Sequence, residues 1–160
     1  MDFIYRTINS YVHDYNGKEI LILSNLTDFA HIFEVQLKID LESKKIMQTK
    51  ANYYKTPYKI CRKTLELVQQ LEGLTIKKGV LKDISKILTG QTGCVHLFEL
   101  VENAIKLAST ILIGKHINYF SDKFQQLSDS EKINISKNYL KNSCLAYSDY
   151  NLNTSLKDEE

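Results

Sequence analysis

Over residues 33–41 the chain alternates without a break. Phe33, Val35, Leu37, Ile39 and Leu41 are apolar, and Glu34, Gln36, Lys38 and Asp40 between them are polar. A β-strand sends successive side chains to opposite faces, so this pattern specifies a strand with one face in a core and the other in water. The strand predicted from it spans 29–41. Its neighbours read the same way. Residues 3–15 are rich in β-branched and aromatic side chains and form a strand candidate. Asn16-Gly17 follows, the dipeptide that best accepts the positive φ angles of a tight hairpin turn. Residues 18–26 carry the run Ile20, Leu21, Ile22, Leu23 and make a second strand, interrupted by Thr27-Asp28. After the turn Glu42-Ser43-Lys44, residues 45–54 make a fourth. The expectation is an antiparallel meander of about four strands over 3–54.

The pattern changes at Thr56-Pro57. Threonine suits an N-cap and proline suits the first helical position, where its missing N–H would be unpaired anyway. A helix to Glu72 is expected, stopped by Gly73, with Cys61, Thr64, Leu65, Val68 and Leu71 on one face. A short helix over 80–88 turns Val80, Ile84, Ile87 and Leu88 inward. The stretch Gly90-Gln91-Thr92-Gly93-Cys94-Val95-His96 gives a sharp turn and opens a long helix over 94–113, whose stripe is Phe98, Val101, Ile105, Ala108 and Leu112. Phe120, Phe124 and Leu127 suggest one more helical piece. Ser128-Asp129-Ser130-Glu131 has capping-box spacing and opens a helix to about Tyr139.

The plan is α+β: the meander, then three or more helices packed on one sheet face. At 160 residues the chain fits one domain, 1–150, made of the meander 3–54, a helical part 56–113 and an extension 114–150. Residues 151–160 are polar and expected to be disordered. A net charge of +2, with 21 basic and 19 acidic residues intermixed, argues against a nucleic-acid binder, which needs a clustered basic face. No window is long and apolar enough for a membrane span, and the start has no signal-peptide pattern. Three separated cysteines without a C-x-x-C pair indicate reduced thiols and a cytoplasmic location.

Several residues could carry chemistry. Cys94, after a glycine and at a helix start, would lie near unpaired N–H groups and the positive end of the helix dipole, which favour a thiolate. His96 adds an imidazole, but positions 94 and 96 of a regular helix point about 200° apart and converge only if Cys94 sits in the non-helical turn. Cys61 and Cys94 also read as small core residues, because free cysteine is among the most buried residue types. Asp28 and His31 occupy the break between two strands, where an aspartate side chain commonly bonds nearby backbone. Cys144 lies in a weakly patterned region, and His13 and His116 have no suggestive neighbours. Gly-Gln-Thr-Gly-Cys lacks the lysine and the preceding parallel strand of a phosphate loop.

Thr56-Pro57-Tyr58 with Cys61, then Leu71-Glu72-Gly73-Leu74, then Gly93-Cys94-Val95-His96-Leu97 with Glu99-Leu100, resemble a bacterial family catalogued as domain of unknown function 2889. Its signature is Gly-Cys-Thr-His-Leu, with Val95 here in place of the threonine. The stretch around Asp28 and the Asn142-Ser143-Cys144-Leu145-Ala146-Tyr147 segment resemble it too. The resemblance covers about residues 5–150 and implies no activity. The order of elements is also similar, more weakly, to the NifU/IscU-type iron–sulfur scaffold fold. That likeness matches Asp28 to a scaffold aspartate, Cys61 to the middle cysteine and Cys94 to the last. The cysteine before the aspartate is absent, Ile60 replaces a glycine, and the histidine follows Cys94 instead of preceding it.

Three functions are compatible with this reading. One is a metal-binding accessory protein that passes metal or sulfur to a client enzyme, holding zinc or iron through Cys61, Cys94 and either Asp28 or His96, with His31 and Cys144 in reserve. The second is a non-catalytic binding or assembly subunit with Cys61 and Cys94 in its core. The third is an enzyme with Cys94 as nucleophile and His96 or His31 as base. A non-enzyme with a protein client is expected, and the sequence leaves the oligomeric state open.

Overall fold

The alternating stretch is the third strand of a four-stranded antiparallel sheet with strand order 1-2-3-4. The strands are β1 (Arg6–Tyr15), β2 (Glu19–Asp28), β3 (Ile32–Asp40) and β4 (Ile46–Lys55). The computed structural model describes residues 4–149, so the part of the first predicted strand at Phe3 lies outside the described residues. By Cα packing the chain divides into two compact units, Met1–Thr110 and Ile111–Glu160.

In the first unit the period-2 pattern decides the faces. Ile20, Ile22, Leu26, Phe33, Val35, Leu37, Ile39 and Ile46 are all buried, while the intervening polar positions point to water. On that outer face Lys38 pairs with Glu19 at 2.9 Å. Gly17 takes φ +84 in the first hairpin, and the Asn16 side chain accepts from the Lys18 and Glu19 N–H groups, as the Asn-Gly signal requires. β1 carries a one-residue bulge at His13, because the pairing steps from Asp14↔Leu21 to Val12↔Ile22. The third strand is shorter than predicted. Residues 28–31 form a turn, since the Asp28 side chain captures backbone N–H groups that a longer ladder would have used.

After β4 the expected α-helix is instead a 3-10 helix, Lys59–Leu71, with Thr64, Val68 and Leu71 buried. Thr56 does not cap it. The residue before the helix is Tyr58, without a side-chain cap, and the Thr56 hydroxyl donates to the Tyr58 carbonyl. The chain then turns at Gly73, φ +86, and residues 73–76 run beside the start of β4. There Ile46 N–H donates to the Leu74 carbonyl and Gly73 N–H to the Ile46 carbonyl. Helix α1 (Val80–Leu88) buries Val80, Ile84 and Leu88 as predicted, with Ile87 half-buried.

Helix α2 (Val95–His116) begins one residue later than expected, so Cys94 lies outside it and its carbonyl accepts the first helical bond, from Phe98 N–H at 3.0 Å. The buried stripe is Leu97, Leu100, Val101, Ala104, Ile105 and Ala108. Phe98 and Leu112 are only half-buried, so the inward face is centred on Leu97 and Leu100 where the sequence suggested Phe98. The stripe and those of α1 and the 3-10 helix supply the apolar cover that the sheet's buried face needs.

In the second unit, α2 ends and two α-helices follow, α3 (Asp122–Gln125) and α4 (Asp129–Leu140), then a short 3-10 helix, Leu145–Tyr147. Ser128 and Glu131 form the expected capping box. A side chain at Gly114 would run into the Phe120 ring, and Tyr119 stacks near Phe124 at 5.1 Å between ring centroids. Cys144 is exposed. The predicted disordered tail, 151–160, lies outside the described residues.

Candidate functional site

Asp28 closes the turn between β2 and β3. Its Oδ1 accepts from Ala30 N–H at 2.8 Å, from His31 N–H at 2.7 Å and from the His31 ring Nδ1 at 3.0 Å. The side chain is 2 % exposed. Burial by itself would push the carboxyl up, but the bonds from Ala30 and His31 outweigh it and hold Asp28 at about 2. Asp28 is therefore a carboxylate, an acceptor only, and His31 Nδ1 must carry the proton between them.

The second oxygen is met by Arg6. Pairing between β1 and β2 sets Arg6 opposite Asp28, with guanidinium Nε at 3.1 Å and Nη2 at 3.0 Å from Oδ2. The bulge at His13 makes this possible. Extending the hairpin register from Tyr15↔Ile20 without it would put Thr7 opposite Asp28. The same guanidinium reaches α2. Its Nη1 lies 3.2 Å from Glu99 Oε2, and its Nη2 lies 3.1 Å from His96 Nε2. His96 and Glu99 are one helical turn apart and so share a face. The rings of His31 and His96 sit 4.2 Å apart, centroid to centroid. Burial first, then the charges of His31 and Arg6, hold the His96 pKa below its ordinary value, with Asp28 and Glu99 opposing them.

The ring of Phe33 is 6.1 Å from that of His31 and 4.8 Å from that of Tyr53, near which the thiols lie. The Tyr53 hydroxyl is 3.0 Å from Thr64 Oγ1, and Thr64 donates its own proton to the Cys61 carbonyl at 2.8 Å. Tyr53 must then be the donor to Thr64. Cys94 and Cys61 both lie near enough to the phenol to act on its ionisation. Burial above all, with Cys94 and Cys61 adding to it, drives the Tyr53 pKa far above its ordinary value. Both cysteines are half-buried.

Glycine places Cys94. The Cys94 N–H donates to the Leu88 carbonyl at 2.7 Å, and a Cβ on Gly93 would collide with that same carbonyl. The turn after α1 therefore folds back on the end of its own helix and delivers Cys94 to the start of α2.

Asp28 bonds His31, whose ring lies against that of His96, while Cys61 and Cys94 both lie near Tyr53. The charges near His96 are those of His31, Arg6, Asp28 and Glu99, whereas Cys94 faces a phenol. Cys144 belongs to the second unit. Among the described residues no three His, Cys, Asp or Glu side chains stand together as a metal-ligand set. The donor types suit zinc, but Asp28 has given both its oxygens to Arg6, His31 and Ala30. Sequence reasoning missed Arg6, Glu99, Tyr53 and Thr64. Glu99 was findable, three residues after His96 on a helix. Arg6 was not, because its place depends on the bulge.

No helix among the described residues is long and apolar enough to cross a membrane. The chain belongs to a family described as protein of unknown function (DUF2889), whose model matches residues 7–110, close to the bounds of the first unit. No curated protein and no solved structure matches it.

Proposed function

We propose that the first unit is a non-catalytic protein-binding or assembly module in which Cys61 and Cys94 serve the core. The observation that carries this reading is that Arg6, the first residue of β1, is held from three directions by Asp28, Glu99 and His96. Those charged groups are used to fix a strand, and the strand beyond them presents Tyr11, Val12 and Tyr15 to solvent. Aromatic and apolar side chains on a rigid exposed element are what a protein partner recognises. The test is affinity capture from cells that make the protein. A partner retained by folded Cys61→Ser and Cys94→Ser variants, and lost from an Asn9→Lys/Tyr11→Lys variant, supports the module. A cysteine variant that folds normally and loses the partner overturns it.

A second reading, a metal-binding accessory protein, is favoured by the approach of Cys61 and Cys94 to one phenol and by the weaker NifU/IscU likeness. Zinc or iron would be held by the two thiolates with His96, or with Asp28 once Arg6 had released it. Its test is the metal and sulfide content of protein purified without air or chelator. About one ion per chain, by the stoichiometry of a mononuclear site, lost on Cys94→Ser, supports it. Unchanged metal in both cysteine variants overturns it.

A further inference from the structure

We propose that the open edge of β1 pairs antiparallel with β1 of a second copy of this chain, joining two meanders into one continuous sheet. This rests on the binding-module reading and names its partner. The two edges of the sheet differ. Along the start of β4, residues 73–76 run alongside and take up backbone groups of Lys44 and Ile46. Beyond β1, among the described residues, no strand pairs.

An uncovered edge is a template for another strand, and chains commonly blunt it with lysine, proline or charges. Residues 7–12 of β1 read Thr-Ile-Asn-Ser-Tyr-Val, with no charge and no proline, and mostly β-branched or aromatic. Among the described residues of β1, the bulge at His13 and the charges of Arg6 and Asp14 lie outside this segment.

Charge selects the occupant. The uncharged segment is flanked by Arg6 on one side and Asp14 on the other. An antiparallel second copy brings the Arg6 end of each strand to the Asp14 end of its mate. A parallel one would set arginine on arginine. Arg6 keeps 42 % of its side chain exposed despite its three partners, so it can serve this contact too. With Ser10 on the two-fold axis, Ile8 comes opposite Val12 and Asn9 opposite Tyr11, a self-complementary set of the kind a closed dimer needs. A single ten-residue edge pairing is at the small end of specific interfaces, so the dimer forms as concentration rises.

Sedimentation equilibrium over a concentration series, with amide hydrogen exchange at both ends of it, tests the pairing. The expected result is a monomer–dimer equilibrium with β1 amides more protected at high concentration. The Asn9→Lys/Tyr11→Lys variant, which gathers four lysines across the contact, should weaken dimerisation by at least about tenfold. The control Met47→Lys/Gln48→Lys, with equal added charge on β4, should leave it unchanged. A monomer at every concentration overturns the proposal, as does a dimer that survives in the β1 variant. If that variant fails to fold, concentration-independent protection of β1 in the unaltered protein also overturns it. A monomer that still captures a foreign partner through β1 overturns self-pairing and leaves the binding-module reading standing.

Discussion

Arg6 Nη2 donates to His96 Nε2 across 3.1 Å, and that bond sets the state of the imidazole. A guanidinium has no acceptor, so Nε2 must hold a lone pair, and the neutral ring carries its proton on Nδ1. Burial and the flanking charges of His31 and Arg6 act in the same direction.

His96 should therefore titrate below the ordinary histidine value, with its proton on Nδ1 when neutral. The linkage follows in sign. In the window between the ordinary value and the depressed one, the unfolded chain binds a proton that the folded chain refuses, so stability falls as pH drops through it. Nitrogen-detected NMR titration reads both tautomer and pKa. A His96 that titrates at or above the ordinary value would remove Arg6 from this role.

Asp28 is the second pH-sensitive group. With a folded value of about 2, its contribution is present above the ordinary carboxyl range and is lost as pH falls toward that value. Asp28→Asn keeps the shape and an acceptor oxygen for Ala30 and His31, but it sets an amide donor where Oδ2 faced Arg6. It should cost about 2 kcal/mol, because it sets a donor against a donor in a part-buried ion pair whose carboxylate is buried. Urea denaturation at neutral pH measures the loss. The same experiment between pH 4 and 2 should show a flatter acid limb in the variant. Equal stability of the two proteins at neutral pH would refute the bridging role.

Gly93→Ala probes the turn that delivers Cys94. The added Cβ meets the Leu88 carbonyl, which also accepts the Cys94 N–H, so turn and helix end must separate. A cost of about 2 kcal/mol is expected for an overpacked backbone contact. Gly17→Ala at the open hairpin tip has no such clash, only the penalty of its positive φ. Faster amide exchange at Cys94 in the Gly93 variant and not in the Gly17 variant would confirm the distinction, and equal exchange would contradict it.

The sheet was legible because period-2 alternation over 33–41 and the Asn16-Gly17 turn are local signals that tertiary packing then reinforced. The capping box at Ser128 and Glu131 was legible for the same reason. The 3-10 geometry of Lys59–Leu71 was not, since an inward spacing of three and four residues looks α-helical until the backbone is seen. Nor was the inward face of α2, where Phe98 and Leu97 compete and the sheet decides. For the site, the turn chemistry of Asp28 and the helix-start position of Cys94 were readable. That Arg6 would sit on Asp28 was not, because a bulge of one residue at His13 leaves no composition signal and changes every pairing beyond it.

Tyr53→Phe separates the thiol half from the imidazole half. The phenol donates to Thr64, Thr64 donates onward to the Cys61 carbonyl, and Cys94 lies near the phenol. Removing one hydroxyl leaves Thr64 without a donor, at a cost of about 1 kcal/mol. In the unaltered protein the exposed Cys144 should react fastest with iodoacetamide, and the half-buried Cys61 and Cys94 more slowly. In Tyr53→Phe the rate at Cys94 should rise relative to that at Cys61, with the His96 titration unchanged, because the charges that act on His96 are those of His31, Arg6, Asp28 and Glu99. Site-resolved mass spectrometry of the alkylated protein gives all three rates. A Cys94 that already matches Cys144 before the substitution would show that the phenol does not hold the thiol, and would move Cys94 out of the core.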